Sequence, residues 1–271
     1  MIEVNDTILN KIREGKNLSL PFVYDYKIMY IKKDNGDCGL NELLGKKLAN
    51  IFGISSANYY LVTVDNENYI ISESLENYGE FLKCSNFSLE DSNNLYDIWY
   101  YLENNFINIE ELMEQLIKVY LFDMLFCNFD RHQENWGVVS NCDTNKLCIF
   151  DNAEMFNTQY KPSLYCSTDN DDIEDDYISY LVELVREITV FKSHCSSEFI
   201  ENSIEILNKI DVETLNNLIS EVELIAGRKY INRPSLKKFT QIRDIMLTNL
   251  KEKENISKKI VMVYKNKRVI R

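Results

Sequence analysis

The chain reads Cys127-Asn128-Phe129-Asp130-Arg131-His132-Gln133-Glu134-Asn135-Trp136-Gly137 near its centre and Leu147-Cys148-Ile149-Phe150-Asp151-Asn152-Ala153 ten residues further on. The segment before the first stretch, 119–126, is apolar apart from one aspartate, which is typical of a helix buried on nearly all sides. Segments 137–139 and 147–150 favour a β-hairpin whose second strand ends at Asp151. The five-residue spacing of Asp130 and Asn135 allows both side chains to face one site from a single loop.

Two aspartates and one asparagine in this order are the residues that ATP-dependent phosphoryl transfer requires. Asp130 would accept or orient the proton of the attacking hydroxyl. Asn135 would hold one Mg²⁺ ion, and Asp151 would bridge Mg²⁺ to the phosphates of ATP. Single matches to this spacing arise by chance in a chain rich in Asp and Asn, so the prediction depends on the ordered set of helix, loop and hairpin.

Residues nearer the N-terminus supply candidates for the nucleotide site. Lys32 lies on a predicted strand and would reach the α- and β-phosphates, oriented by an ion pair with Glu42 on the next helix. Lys33 is the alternative, because neighbouring residues of a strand point to opposite faces. Glu42 could instead be a carboxylate favoured by the dipole at the start of its helix.

The order of predicted elements indicates an α+β fold, with a bilobal protein-kinase-like arrangement. A small β-rich N-terminal lobe spans 1–75, and a mainly helical C-terminal lobe spans 76–271. Segment 71–75 would be the hinge, with backbone groups of Glu73 and Leu75 meeting the adenine edge. Periodicity predicts helices over 4–13, 41–52, 92–104, 109–127, 176–192, 196–209, 211–226 and 234–254, and strands over 21–33, 58–64 and 69–74.

Composition favours a soluble intracellular protein. The 271 residues, 45% of them hydrophobic, can fill a substantial core. No apolar run approaches the roughly 20 residues of a membrane span, and no signal-peptide pattern is present, so we expect a cytoplasmic location. Seven cysteines without a CxxC pair favour free thiols over disulfides or zinc sites. A net charge of −13 argues against general nucleic-acid binding.

Charge is distributed unevenly in the C-terminal half. An acidic run occupies 169–176, and the tail 251–271 carries eight Lys or Arg residues against two Glu. Both segments could be solvated surface. Alternatively, they contact a substrate or a regulator, and the basic tail could reach an acidic lipid or protein partner.

The sequence resembles the HipA-like serine/threonine kinases, including the CtkA type. The resemblance is carried by 128–137, by Ile149-Phe150-Asp151-Asn152 after it and by the segment from Asn41-Glu42 to Gly53-Ile54 before it. The Asp-Arg-His-x-x-Asn core is similar also to that of phosphatidylinositol 3- and 4-kinases. In motif order the resemblance runs from Tyr30 to Phe156, and it implies a protein-kinase-like fold, ATP with Mg²⁺, and transfer to serine or threonine of a protein substrate or of the kinase itself.

The sequence departs from the usual kinase pattern in two places. No GxGxxG motif precedes the lysine strand, where Gly15 is the only glycine, so the usual backbone cradle over the phosphates is not visible. Asn152 and Ala153 stand where an Asp-Phe-Gly motif has Phe and Gly, so in–out switching of this segment is not expected.

Other functions are compatible with the same motifs. A kinase-fold enzyme could act on a lipid headgroup or a small molecule such as an aminoglycoside or sugar, or transfer AMP. A nucleotide-binding pseudokinase that acts as an interaction module is an alternative of another class, although retention of the three motif residues argues against it. Ser163, Ser167 and Ser179 lie where an activation segment would be and are candidates for autophosphorylation.

The remaining conspicuous side chains near the motif are predicted to be structural. Arg131 would pair with a carboxylate or a phosphate, and His132 would support the loop rather than act as a base. Aromatic residues predicted to pack in the core are Trp136, Tyr96, Trp99, Tyr100 and Tyr101.

Overall fold

A computed structural model describes residues 6–14, 20–87, 95–106, 109–128, 130–142, 144–156 and 195–251. The acidic run, the predicted helix 176–192, the three candidate serines and the tail beyond Lys251 lie outside these ranges. The described helices are α1 (Asp6–Glu14), α2 (Cys38–Phe52), α3 (Leu95–Asn105), α4 (Ile109–Phe126), α5 (Ser197–Lys209), α6 (Val212–Ala226) and α7 (Leu236–Lys251), with 3₁₀ turns at Leu75–Tyr78 and Cys84–Asn86. The strands are β1 (Leu20–Tyr24), β2 (Lys27–Lys33), β3 (Ser55–Ser56), β4 (Tyr59–Val64), β5 (Glu67–Glu73), β6 (Glu80–Lys83), β7 (Trp136–Ser140) and β8 (Asn145–Ile149).

These elements confirm the α+β class and most of the predicted segments, but the prediction of one strand over 21–33 is wrong. The segment is a hairpin of β1 and β2, paired so that Tyr24 faces Lys27. Its turn consists of Asp25 and Tyr26, with φ of 49° and 61°. A two-residue hairpin turn usually contains Asn-Gly or Asp-Gly at these positions, so Asp25-Tyr26 is not a recognisable turn pattern.

The first sheet has the order β1-β2-β5-β4, with neighbouring strands antiparallel. One of its faces packs with α1 in an apolar cluster that includes Ile8, Met29, Ile31 and Ile71. Because side chains alternate along a strand, Ile31 and Lys32 point to opposite faces of the sheet. Lys32 therefore lies on the face away from α1.

The second sheet has the order β3-β8-β7-β6. The short strand β3 pairs in parallel with β8, so that Ser56 faces Ile149. Strands β7 and β8 form the hairpin that the sequence predicts, whereas β3 and β6 were not predicted. Because β8 ends at Ile149, the sheet fixes the backbone two residues before Asp151.

The chain divides into two compact units. The first comprises Met1–Asp123, Asp130–Met155 and Asn217–Arg233, and it contains both sheets and all the predicted site residues. The second comprises Met124–Phe129, Phe156–Asn216 and Pro234–Arg271. In its described part, the rings of Phe126 and Phe239 stack at 6.1 Å, and α5 packs on α7. A lobe boundary at residue 75 stays a prediction.

Side-chain positions confirm two of the five predicted core aromatic residues, Trp136 and Tyr101. Trp136 is buried and meets Phe87 edge-on at 5.7 Å between ring centroids. Tyr101 stacks on Phe87, but core packing of Tyr100 was a wrong prediction, because its side chain is 64% exposed. Tyr96 and Trp99 have side chains outside the described set. Cysteines in the described ranges are free thiols, and no helix within those ranges has the length and apolarity needed to cross a bilayer.

Candidate active site

Helix α2 carries Glu42, and both ends of this helix are stabilised. The Gly39 amide donates to the Asp34 carboxylate at 2.9 Å near the start of the helix. The helix ends at Gly53, whose φ of 68° is a left-handed conformation that glycine adopts without a Cβ penalty. Between these ends the Glu42 side chain points inward and is completely buried. Burial raises the pKa of Glu42 to about 7, although the nearby Lys32 ammonium opposes this shift.

Lys32 lies between two carboxylates. Its Nζ atom is 3.4 Å from Glu42 Oε1 and 3.5 Å from Asp151 Oδ1. Burial alone lowers the pKa of Lys32, but these carboxylates reverse the effect, so the pKa is raised and the ammonium is retained. Lys33 points away and pairs with Glu67 on the neighbouring strand. Of the two candidate lysines, Lys32 is thus the one placed beside the predicted metal residue Asp151.

Asp151 leaves β8 in an unusual backbone conformation, with φ of 57°. Its amide donates to the Tyr59 hydroxyl at 3.0 Å. The same hydroxyl bonds to Glu42, and burial raises the Tyr59 pKa, so the phenol stays protonated. A non-glycine residue in the left-handed region costs free energy, which the surrounding hydrogen bonds must offset. This conformation turns the Asp151 carboxylate toward Lys32.

The loop of Asp130 is closed by hydrogen bonds to Asn135. Asn135 Nδ2 donates to the Asp130 carbonyl at 2.7 Å, and the Asn135 amide donates to the His132 carbonyl at 3.0 Å. The Phe150 amide donates to the Asn135 carbonyl at 3.0 Å, which joins this loop to the backbone beside Asp151. The three predicted motif residues therefore belong to one hydrogen-bonded assembly.

The Asp130 carboxylate is partly exposed, as a group that meets a substrate hydroxyl must be. Burial raises the Asp130 pKa, with further contributions from Asp151 and Glu154, whereas His132 lowers it. His132 Nδ1 accepts the Glu134 amide at 3.1 Å, and its Nε2 lies 4.0 Å from Asp130 Oδ2. The first contact supports the structural role predicted for His132.

Arg131 joins several segments of the site. Its guanidinium forms a bidentate contact with the Asp123 carboxylate and is only 8% exposed. It also donates to the carbonyl oxygens of Asn135 and Phe150 and, at 2.7 Å, to Asn152 Oδ1. Sequence reasoning predicted a carboxylate or phosphate partner for Arg131, and the partner is Asp123.

Asn152 completes a connection that sequence reasoning missed. Its amide donates to Glu42 Oε2 at 2.7 Å, while its side chain accepts from Arg131. The side chain packs against α2 at Gly45, where an added Cβ would lie 2.6 Å from Asn152 Cβ. In the sequence, the one indication of this role was that Asn152 occupies the Phe position of the Asp-Phe-Gly motif. Asn152 and Arg131 thereby link Glu42 to the loop of Asp130.

The predicted hinge residues Glu73 and Leu75 lie in different elements, Glu73 at the end of β5 and Leu75 in the 3₁₀ turn that follows. The Glu73 amide donates to the Asn58 carbonyl at 2.9 Å, so this donor is already used within the sheet. The Glu73 carboxylate is buried and accepts from Lys27, Asn58, Tyr60 and Tyr78. Leu75 is buried at the start of a 3₁₀ turn. Adenine contacts by Glu73 and Leu75 stay a prediction, and Glu73 could contribute only its carbonyl.

The donors at the site are compatible with Mg²⁺. Asp151 offers a carboxylate, and Asn135 offers an amide oxygen because its Nδ2 is held by the Asp130 carbonyl. The described residues contain no cluster of three His, Cys, Asp or Glu side chains that would form a complete protein cage. Mg²⁺ at kinase sites takes one or two protein ligands together with phosphate oxygens and water, which fits this small donor set.

The turn before the lysine strand lacks glycine. Asp25 and Tyr26 form it, and the Tyr26 side chain is 99% exposed. Within the described residues, the hairpin β1–β2 therefore has no glycine-rich cradle for phosphates.

Two solved structures are similar to this chain in fold. The Helicobacter pylori proinflammatory kinase CtkA matches with a TM-score of 0.55 and 17% sequence identity, covering 86% of this chain and 94% of that one. HipA from a toxin–antitoxin system of Shewanella oneidensis MR-1, solved with HipB and operator DNA, matches with a TM-score of 0.50 and 12% identity, covering 90% and 69%. The α+β fold is thus kinase-like.

A more specific assignment comes from the sequence family. The family model of the HipA-like kinases matches residues 7–170, which is more than half of the chain. The chain belongs to the HipA-like kinase family. No curated protein matches it in sequence.

Proposed function

We propose that this protein is an ATP- and Mg²⁺-dependent serine/threonine protein kinase that phosphorylates itself or a protein partner. One observation carries the proposal: Lys32 lies within 3.5 Å of both Glu42 and Asp151, and the loop of Asp130 and Asn135 is hydrogen-bonded to the backbone beside Asp151. Phosphoryl transfer depends mainly on positioned charges and an oriented acceptor, and these residues supply both.

Each residue has a defined role in the proposed reaction. Lys32, oriented by Glu42, binds the α- and β-phosphates of ATP. Asn135 and Asp151 hold Mg²⁺, which neutralises charge on the phosphates when bound. Asp130 orients the acceptor hydroxyl and takes its proton, a task that its raised pKa favours. Glu73 and Leu75 contact adenine. The protein acts in the cytoplasm, where ATP is available.

Mass spectrometry of the purified protein after incubation with Mg²⁺ and ATP tests the proposal. We expect added phosphoryl groups on Ser or Thr of the wild-type protein, and none on the Asp130→Asn or Asp151→Asn variants. An adenylyl adduct would instead establish AMP transfer. If the protein carries no adduct, incubation with a generic Ser/Thr substrate such as casein distinguishes a kinase that needs a separate acceptor from a pseudokinase, which would bind ATP without turnover.

A further inference from the structure

A cavity lies in the first compact unit, and the charged residues of the candidate active site do not line it. Its volume is about 540 Å³, within the range of roughly 300–1,000 Å³ that ligand pockets occupy. It is bordered by α2, β3, the 3₁₀ turn at Leu75–Tyr78 and the β7–β8 hairpin. Lys32, Glu42, Asp130, Asn135 and Asp151 do not line it, and Leu75 is the one predicted nucleotide residue that does.

The charge of this cavity is opposite to that of the whole protein. Lys46 and Lys146 line it, and its described lining contains no Asp or Glu, although the chain has a net charge of −13. Burial lowers the Lys46 pKa, and Glu73 is the carboxylate that opposes this shift. That carboxylate already accepts hydrogen bonds from Lys27, Tyr60 and other neighbours. An incoming anion would therefore meet two cations and no free carboxylate in the described lining.

Lys46 is only partly solvated and has no carboxylate partner in the described structure. Its Nζ donates to the Ser56 carbonyl at 2.7 Å, and no ion pair is formed in the cavity lining. Burial lowers the Lys46 pKa, because the ammonium has lost water without gaining a full counter-charge. A bound anion would supply that charge and form charge-assisted hydrogen bonds, which are stronger than neutral ones.

The lining of the cavity combines polar and apolar residues. Ile54, Leu75, Val139 and Cys148 contribute buried side chains. Burial raises the Cys148 pKa to about 11, so this thiol is protonated and behaves as an apolar group rather than a nucleophile. Apolar side chains in the same lining as two cations match a ligand that joins an apolar body to an anionic head.

We propose that this cavity is a binding site for a small organic anion with an apolar part, such as an aryl phosphate or aryl carboxylate. The site shares Leu75 with the proposed adenine contacts but none of the charged residues proposed to bind the phosphates and Mg²⁺. Helix α2 carries Lys46 one turn after Glu42, and β8 carries Lys146 and Cys148 before Asp151. A ligand in the cavity would therefore contact two elements that position the active site.

Calorimetric titration with 1-naphthyl phosphate, 1-naphthoate and uncharged 1-naphthol tests this proposal without any measurement of phosphoryl transfer. We expect the phosphate or the carboxylate to bind at least about tenfold more tightly than the naphthol, since one charge-assisted hydrogen bond accounts for such a ratio. Which of the two anions binds better identifies the preferred head group. Equal binding of all three compounds, or of none, would overturn the proposal.

Variants locate the binding. Lys46→Gln and Lys146→Gln should each weaken 1-naphthyl phosphate binding about tenfold, and Lys46→Arg should restore most of it. The matched control is Lys47→Gln, because Lys47 neighbours Lys46 but pairs with Glu221 instead. Lys32→Gln should also leave this binding unchanged. Loss of binding in Lys32→Gln, with retention in the Lys146 variant, would place the probe in the nucleotide site. Lys146 is exposed, so its variant should fold even if the Lys46 variant does not.

Discussion

The backbone amide of Asn152 donates a 2.7 Å hydrogen bond to Glu42 Oε2, although the two residues are 110 positions apart. The same carboxylate contacts Lys32 through its other oxygen. Glu42 thus connects the lysine that is proposed to bind phosphate with the backbone next to the proposed metal residue. Because Glu42 is completely buried, each of its bonds is costly to lose.

Replacement of Glu42 by Gln should reduce both stability and activity. The side chain keeps its size, but only one of its two terminal groups, the amide oxygen, can accept, so either Lys32 or Asn152 loses its acceptor. We expect a cost of about 1–3 kcal/mol in the free energy of unfolding. Phosphoryl transfer should fall on the order of 100-fold, because a misplaced lysine misplaces the phosphates. Denaturant unfolding and initial rates measure the two effects. Lys33→Gln is the control, and an equal loss of rate there would contradict the assignment of Lys32.

Loss of the Arg131 guanidinium should destabilise the fold strongly. In Arg131→Gln the mostly buried Asp123 carboxylate loses its bidentate partner, and such losses cost about 3–5 kcal/mol. Removal of the Asp123 charge in the double variant Asp123→Asn/Arg131→Gln should recover part of the loss. Chemical denaturation of Asp123→Asn, Arg131→Gln and the double variant measures this. Strict additivity of the two single changes would show that the residues do not interact in solution.

Substitution of Gly45 by Ala tests the packing of Asn152 against α2. The new Cβ would lie 2.6 Å from Asn152 Cβ, which neither backbone can accommodate without a shift. We expect a loss of about 1–3 kcal/mol in stability, together with lower activity, because Asn152 is displaced. Gly36→Ala is the comparison: its φ is 64° but nothing lies within 4 Å, so strain alone should cost about 1 kcal/mol. Unaltered activity in Gly45→Ala would mean that the position of Asn152 is unimportant.

Acidification should lower the free energy of unfolding through protonation of Glu73. Burial by itself raises the Glu73 pKa, but hydrogen bonds from Tyr78, Tyr60, Lys27 and Asn58 lower it from 4.5 to about 2. A lowered pKa in the folded state gives stability that is present above the unfolded pKa and is lost as the pH falls from about 4.5 to about 2. The shift corresponds to about 3 kcal/mol.

Urea unfolding at pH 3, 4, 5 and 7 measures this contribution. Wild-type stability should fall over the acidic range, and Glu73→Gln should be less stable at pH 7 but show a smaller loss on acidification. Glu103→Gln, at an exposed helical position, should leave the wild-type profile unchanged. Parallel profiles for wild type and Glu73→Gln would show that the Glu73 pKa is not lowered.

Local sequence patterns were sufficient to predict the helices and strands whose backbone conformation they specify directly. Apolar periodicity predicted α2, α4 and the β7–β8 hairpin, because burial of one face specifies both the element and its period. They failed at Asp25 and Tyr26, where the pairing of β1 with β2 requires a turn that this residue pair does not usually form. Strand β3 was also missed, because two serines carry no strand pattern and pair only where β8 is already present.

The sequence by itself determined the candidate residues Asp130, Asn135 and Asp151, because the chemistry of phosphoryl transfer restricts residue type and spacing along the chain. The tertiary structure decided which lysine faces them, because strand register alone places Lys32 toward Glu42 and Lys33 toward Glu67. It also decided the partners of Arg131 and Asn152. Such partners come from distant segments, and their hydrogen bonds depend on distances that only packing of α2 against the second sheet defines.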